Sequence, residues 1–128
     1  MRMVTKPLVF GKRSEEIAAQ FLLSKGYRIL ERNYRTPGGE LDLIALDGDV
    51  LVFVEVKARR RMGFGEPAFA VDRRKQRHLI RASLFYLTRK RIQNRSCRFD
   101  IVVIQETGDG RQRIDLIHNA FEVEGANL

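Results

Sequence analysis

Apolar residues recur along this chain in two periods. Ile17, Ala18, Phe21 and Leu22 are spaced as one face of a helix, and Gly26 stands where such a helix stops. This first helix begins between Thr5 and Ser14 and runs through Glu15 to Lys25. Three strands follow: Tyr27 to Tyr34, Glu40 to Leu46 and Val50 to Ala58. The last two form a hairpin around Asp47-Gly48-Asp49. Asp72 is placed to cap a long second helix that reaches about Arg91. Two more strands, Arg98 to Gln105 and Arg113 to His118, flank the turn Gly108-Asp109-Gly110. Phe99, Ile101 and Val103 cover one face of the fourth strand, and Val102 and Ile104 the other. Such a strand is central and covered on both sides. The expected architecture is an α/β sandwich of order α-β-β-β-α-β-β, with a central mixed sheet flanked by helices.

The hairpin carries charges where the pattern asks for apolar side chains. Val50-Leu51-Val52-Phe53-Val54 reads as a buried strand, yet it runs on into Glu55-Val56-Lys57. Residues two apart on a strand share a face, so Glu55 and Lys57 lie beside Leu51 and Phe53. Glu40, Asp42 and Ile44 share a face of the preceding strand. A two-residue loop at Gly48-Asp49, or a four-residue loop from Asp47 to Val50, sets Asp42 opposite Glu55 and Glu40 opposite Lys57. A loop at Asp47-Gly48 makes Asp42 diagonal to Glu55, and a three-residue loop without a bulge puts the two sets on opposite faces. Opposed side chains lie roughly 5 Å apart at Cβ. Two facing carboxylates repel unless a proton or cation intervenes. Magnesium suits that role, because it takes one or two carboxylates and keeps its other positions for water and phosphate. The Val56 carbonyl is a candidate third oxygen. Lys57 is placed to orient an attacking water or to stabilise charge on phosphorus. The plainer alternative is a set of cross-strand ion pairs, Glu40 with Lys57 and Asp42 with an arginine, each worth roughly 0.2–1 kcal/mol.

Composition narrows the class. The chain has 128 residues, 44% of them hydrophobic, which is enough for one domain over 1–128 with a real core. Lys and Arg number 24 against 16 Asp and Glu, a formal charge of +8 that favours polyanions, nucleic acid first. No apolar run has the length of a spanning helix and the N-terminus shows no apolar signal core, so a cytoplasmic protein without a membrane partner is expected. The single cysteine, Cys97, excludes an intramolecular disulfide and a multi-cysteine zinc site. The loop Arg59 to Pro67 brings Arg59, Arg60 and Arg61 next to the charged strand. Arg73, Arg74, Lys75 and Arg77 extend the positive charge along the second helix. These are the candidate phosphate contacts; the plainer reading is a solvated basic surface. Asp100 either pairs with an arginine or closes off the core. His78 and His118 have no partner at metal-ligand spacing, and Gly38-Gly39 lacks the helix and Lys-Ser/Thr of a phosphate loop.

Asp42, twelve intervening residues and then Glu55-Val56-Lys57 resemble the PD-(D/E)XK nuclease signature, with Leu41 where the signature has Pro. More of the chain is similar to the YraN-like family of small proteins. The residues that carry this are Gly11-Lys12-Arg13-Ser14-Glu15, Ala18, Phe21-Leu22, Gly26-Tyr27, Asn33-Tyr34, Gly39 to Ile44, Phe53 to Lys57, Val71, Lys75-Gln76 and Arg98-Phe99-Asp100. Ser14 stands where that family usually has Gly. The resemblance implies a restriction-endonuclease-like fold, similar to archaeal Holliday-junction resolvases. It implies that Asp42 and Glu55 bind Mg²⁺ or Mn²⁺, that Lys57 assists water attack, and that Glu15 is a further acidic site residue. It also matches Gln76 to a polar helix position near such sites. Without the resemblance, Glu15 complements a helix dipole, and for Gln76 a satisfied buried amide weighs evenly against a site role.

The expected function is therefore metal-dependent hydrolysis of phosphodiesters in DNA, with branched or structured DNA as a candidate substrate and a homodimer attractive for junctions by symmetry. A nucleic-acid-binding module without turnover on the same fold is the alternative. A protein-interaction adaptor is a third class.

Overall fold

A computed structural model describes residues 7–59, 71–106 and 111–121, with side chains from residue 13 onward. Its elements are α1 (Pro7–Ser24), β1 (Arg28–Thr36), β2 (Gly39–Asp47), β3 (Val50–Arg59), α2 (Arg73–Arg89), β4 (Cys97–Glu106) and β5 (Gln112–Ile117). The five strands form one mixed sheet in chain order. β3 and β4 run parallel, joined across α2, and the other neighbours are antiparallel. The helix-and-strand order matches the sequence pattern, and β4 is an interior strand, paired with β3 and β5 and buried along its length. The loop from Arg60 to Pro67 and the turn at Gly108-Asp109-Gly110 lie outside the described residues.

Local signals end the helices where expected. Gly26 has φ +92°; its N–H donates to Leu23 O and that of Tyr27 to Leu22 O, each at 3.0 Å. That pair of bonds satisfies carbonyls the helix leaves open. The Asp72 carboxylate accepts the Lys75 N–H at 2.8 Å and so caps α2. α2 ends at Arg89, short of Arg91, because Arg91 turns left-handed (φ +56°) and closes the helix end.

The sheet has an apolar layer on each side. α2 covers Ile44, Leu51, Phe53, Phe99, Ile101 and Val103, to which it adds Leu79, Ala82 and Tyr86. α1 covers Leu43, Ala45, Val52, Val54, Val102 and Ile104 with Ala18, Ala19 and Leu22. Each large side chain buried this way contributes about 1.5–3 kcal/mol, against under about 1 kcal/mol for an exposed ion pair. The two layers therefore hold the register of β2 and β3. A slip by one residue would send Phe53 and Leu51 to the wrong side. No described helix is long and apolar enough to cross a membrane.

One buried charge is part of this frame. Asp100, on β4, is 1% exposed. Arg98 donates from Nε to Oδ1 and from Nη2 to Oδ2, both at 2.9 Å. The Tyr27 hydroxyl donates to Oδ2 at 2.9 Å and the Asn119 N–H to Oδ1 at 2.9 Å. Arg98 Nη2 also reaches Asp47 at 2.8 Å. Asp100 thus pairs with an arginine and closes the core at once, tying the α1–β1 connection, β2 and β4 together through fully met hydrogen bonds. Removing one partner of such a pair strands the other charge. Asp100→Ala should cost about 3–5 kcal/mol in urea unfolding, and a loss under 1 kcal/mol would contradict this structural role.

Candidate active site

β2 and β3 are paired only over part of their length. The hairpin turns at Gly48-Asp49, and the ladder runs from Asp47↔Val50 to Leu43↔Val54. This is the register that aims Asp42 at Glu55. One step further the strands part. β2 continues alongside β1 as far as Thr36↔Gly39, while β3 continues alongside β4 to Arg59↔Gln105. Asp42 stands at the fork. Its Oδ2 accepts the Val56 N–H at 2.8 Å, a side chain replacing the next ladder bond. The N–H and C=O of one strand residue point the same way, so the Val56 carbonyl is directed to the β2 side as well.

The parting changes two expectations. Strict alternation puts Glu40 on the face of Asp42 and Ile44, but Leu41 packs with Ile44 on the α2 side, Leu43 packs on the α1 side, and Glu40 lines a cavity with Glu15 and Leu43. The alternation breaks at Asp42, where β2 loses β3 as a neighbour. Glu40 does not face Lys57 in the ladder; it pairs with its β1 register partner Arg35, Nε to Oε2 at 3.3 Å. Across a fork the sheet imposes no pairing.

Glu55 lies on the α2 side, in line with Leu51 and Phe53, and is 9% exposed. Lys75, in the first turn of α2, meets it with Nζ 3.2 Å from Oε2. Lys57 is half-buried on the same strand, two residues on, and holds no ion pair among the described residues. Glu15 comes from α1 on the other side, its carboxylate accepting from the Asn33 side chain. A cavity of about 480 Å³ opens there, lined by Glu15, Asn33, Arg35 and Glu40 among others. Burial, and then the charges of Glu40 and Glu55, raise the Glu15 pKa against the pull of Asn33.

Asp42 is the most perturbed acid. Burial first and the Glu55 carboxylate second push its pKa up to about 7. Glu15 adds to the rise, while the Val56 N–H and the Lys75 charge oppose it. A carboxylate in this position takes a proton or a cation near neutral pH.

The donors at the fork are all oxygen: two carboxylates and the carbonyl directed at them. That set suits a hard divalent ion such as Mg²⁺ or Mn²⁺ better than zinc. No group of three or more His, Cys, Asp and Glu among the described residues is gathered to hold a metal. Two side chains are the number that magnesium commonly takes, with water and phosphate completing its shell. Cys97 lies at the start of β4, where burial raises its thiol pKa.

The remaining candidates divide. Gln76 donates from Nε2 to Val71 O at 2.7 Å, so its amide nitrogen secures the entry into α2. Arg73, Arg74 and Arg77 are exposed on α2, and Arg59 is half-buried at the end of β3. Arg60 and Arg61 lie outside the described residues. Two contacts were not expected from the sequence, Lys75 on Glu55 and Asn33 on Glu15. Asn33 has a local signal, since it sits mid-strand at φ +51°, a conformation that asparagine tolerates.

Because the folded pKa of Asp42 lies above its ordinary value of 3.8, the folded protein holds its proton more tightly than the unfolded chain. Stability from this group is present below about pH 4 and is lost as pH rises to about 7. Asp42→Asn should therefore be more stable than the parent above pH 7, by about 1–3 kcal/mol, with the difference vanishing in acid. Millimolar Mg²⁺ or Mn²⁺ should raise the melting temperature of the parent but not of Asp42→Asn. Melting curves across pH, with and without cation, check both, and a destabilised Asp42→Asn at pH 8 would contradict the electrostatic account.

Residues 14–104, which hold every candidate site residue above, match the model of the uncharacterised protein family UPF0102. Relatives extend the match over nearly the whole chain. A UPF0102 protein of Symbiobacterium thermophilum is 51% identical over 111 residues, covering 87% of this chain and 94% of that one. One from Syntrophus aciditrophicus is 48% identical over 94% of each chain, and one from Geobacter sulfurreducens 46% identical over 90% of each. With its fold and its acidic fork described, this chain belongs to the UPF0102 family.

Proposed function

We propose that this protein is a divalent-cation-dependent nuclease of the PD-(D/E)XK superfamily, hydrolysing phosphodiester bonds in DNA, with branched or structured DNA as the preferred substrate. The observation that carries this is the meeting of Asp42 and Glu55 at the fork, where Asp42 accepts the Val56 N–H while burial and then the Glu55 charge push its pKa up to about 7. The α-β-β-β-α-β-β order and the mixed sheet support a restriction-endonuclease-like fold.

Asp42 and Glu55 would hold Mg²⁺ or Mn²⁺, with the Val56 carbonyl beside them. The cation would neutralise phosphate charge and make water a better nucleophile near neutral pH. Lys57, half-buried and on the Glu55 side of β3, orients the attacking water and stabilises charge building on the phosphoryl oxygens. Glu15 adds negative charge on the α1 side, where it strengthens cation binding more than it touches substrate. Arg73, Arg74 and Arg77 on α2 contact the backbone phosphates, which supply affinity without reading sequence. A homodimer would match the symmetry of a junction, and the cytoplasm would be the place of action.

A second reading has one observation in its favour. Two gathered carboxylates, with no third ligand side chain among the described residues, also suit a module that binds nucleic acid without cutting it. Cleavage of junction, flap, single-stranded and duplex DNA in Mg²⁺ or Mn²⁺ separates the two. Glu55→Ala should abolish cutting with folding intact, and Lys57→Ala should slow it roughly 10²–10³-fold. Salt-sensitive binding with no cleavage in any divalent ion would favour the binding module.

A further inference from the structure

Lys75 links the two halves of the site. Its ammonium lies 3.2 Å from Glu55 Oε2, and its charge also reaches Asp42. One cation of single charge therefore serves two carboxylates. The lysine's backbone is fixed, because its N–H donates to the capping Asp72 at 2.8 Å. Its side chain is 42% exposed, and a flexible four-carbon stem lets the ammonium move while the helix stays still.

A divalent ion at the fork competes for the same oxygens. It matches both negative charges, whereas the ammonium matches one. The ammonium end of the pair is 42% exposed and regains water on leaving, while the buried carboxylate passes to the ion, so neither charge is left without a partner. Once displaced, the ammonium stays beside the site on its flexible stem. A phosphate oxygen drawn to the same cation would come within the reach that Lys75 already has toward Glu55.

We infer that Lys75 is a displaceable counter-ion, held on Glu55 until a divalent cation takes the two carboxylates and then released to hold a phosphate oxygen of the nucleic acid. This rests on the cation-dependent reading of the site and adds an order to it. Cation first weakens the Lys75–Glu55 pair, and the freed charge then strengthens nucleic-acid binding, so the two ligands bind cooperatively.

Calorimetric titration with Mn²⁺ and the salt dependence of binding to a four-way DNA junction test the idea on the parent, Lys75→Met and Lys75→Arg. Lys75→Met should bind Mn²⁺ roughly two- to fivefold more tightly than the parent, since its competitor is gone, while Lys75→Arg should stay near the parent. In Ca²⁺ the junction salt slope of Lys75→Met should be shallower by about one phosphate contact. Without divalent cation its slope should equal the parent's, because there the lysine is engaged with Glu55. Unchanged or weaker Mn²⁺ binding by Lys75→Met overturns the inference, as does a slope lost equally with and without cation. Lys75→Gln, measured alongside, gives the same readouts should the Met variant fold poorly. A parent that takes up no divalent ion sinks the nuclease reading itself, whereas a parent that binds it while Lys75→Met is indifferent sinks only the role of Lys75.

Discussion

The hydrogen bond from the Val56 N–H to the Asp42 carboxylate is the contact on which the geometry of the fork depends. It stands where a backbone ladder bond would otherwise be, one step past Leu43↔Val54. Because a side chain takes that bond, β2 is free to follow β1 while β3 follows β4. The same bond fixes Asp42 in the fork, facing Glu55. Fold and site thus share one contact: the sheet opens at the place where the acids meet. The apolar layers under α1 and α2 keep that place constant, since they fix the register of the hairpin from both sides.

Two aspartates of one sheet, Asp100 buried and Asp42 half-buried, show how differently a carboxylate can be used. Asp100 receives two bonds from Arg98, one from Tyr27 and one from the Asn119 backbone. Its charge is met on every side, which makes it a joint of the frame. Asp42 has the Val56 N–H and, near it, the like charge of Glu55. A charge short of partners in a partly buried place is costly unless it serves something. The contrast within one sheet favours a role for Asp42 outside architecture. Lys75 offsets part of the repulsion, but it is anchored to Glu55 and reaches Asp42 only through its field.

Much of this was legible in the residues. Helical and strand periods placed seven elements, Gly26 and Asp72 marked helix ends, and Asp47-Gly48-Asp49 marked the turn. With the turn known, period two sufficed to bring Asp42 to Glu55. What stayed hidden was non-local or broke the period. Leu41 crossed to the α2 side because β2 changes neighbours at Asp42, and no pattern within β2 announces that. Glu40 turned to Arg35 for the same reason. Lys75 meets Glu55 only after α2 crosses over to join the parallel strand β4. The Tyr27–Asp100 bond spans 73 positions of the chain, a distance over which sequence spacing carries no geometric information.

The most direct test of the acidic fork is the anomalous signal of Mn²⁺ in crystals of the protein soaked with that ion. A single strong peak within coordination distance of both the Asp42 and Glu55 carboxylates is the predicted result. Ordered carboxylates with no peak between them, or manganese held by one of them alone, would contradict the account.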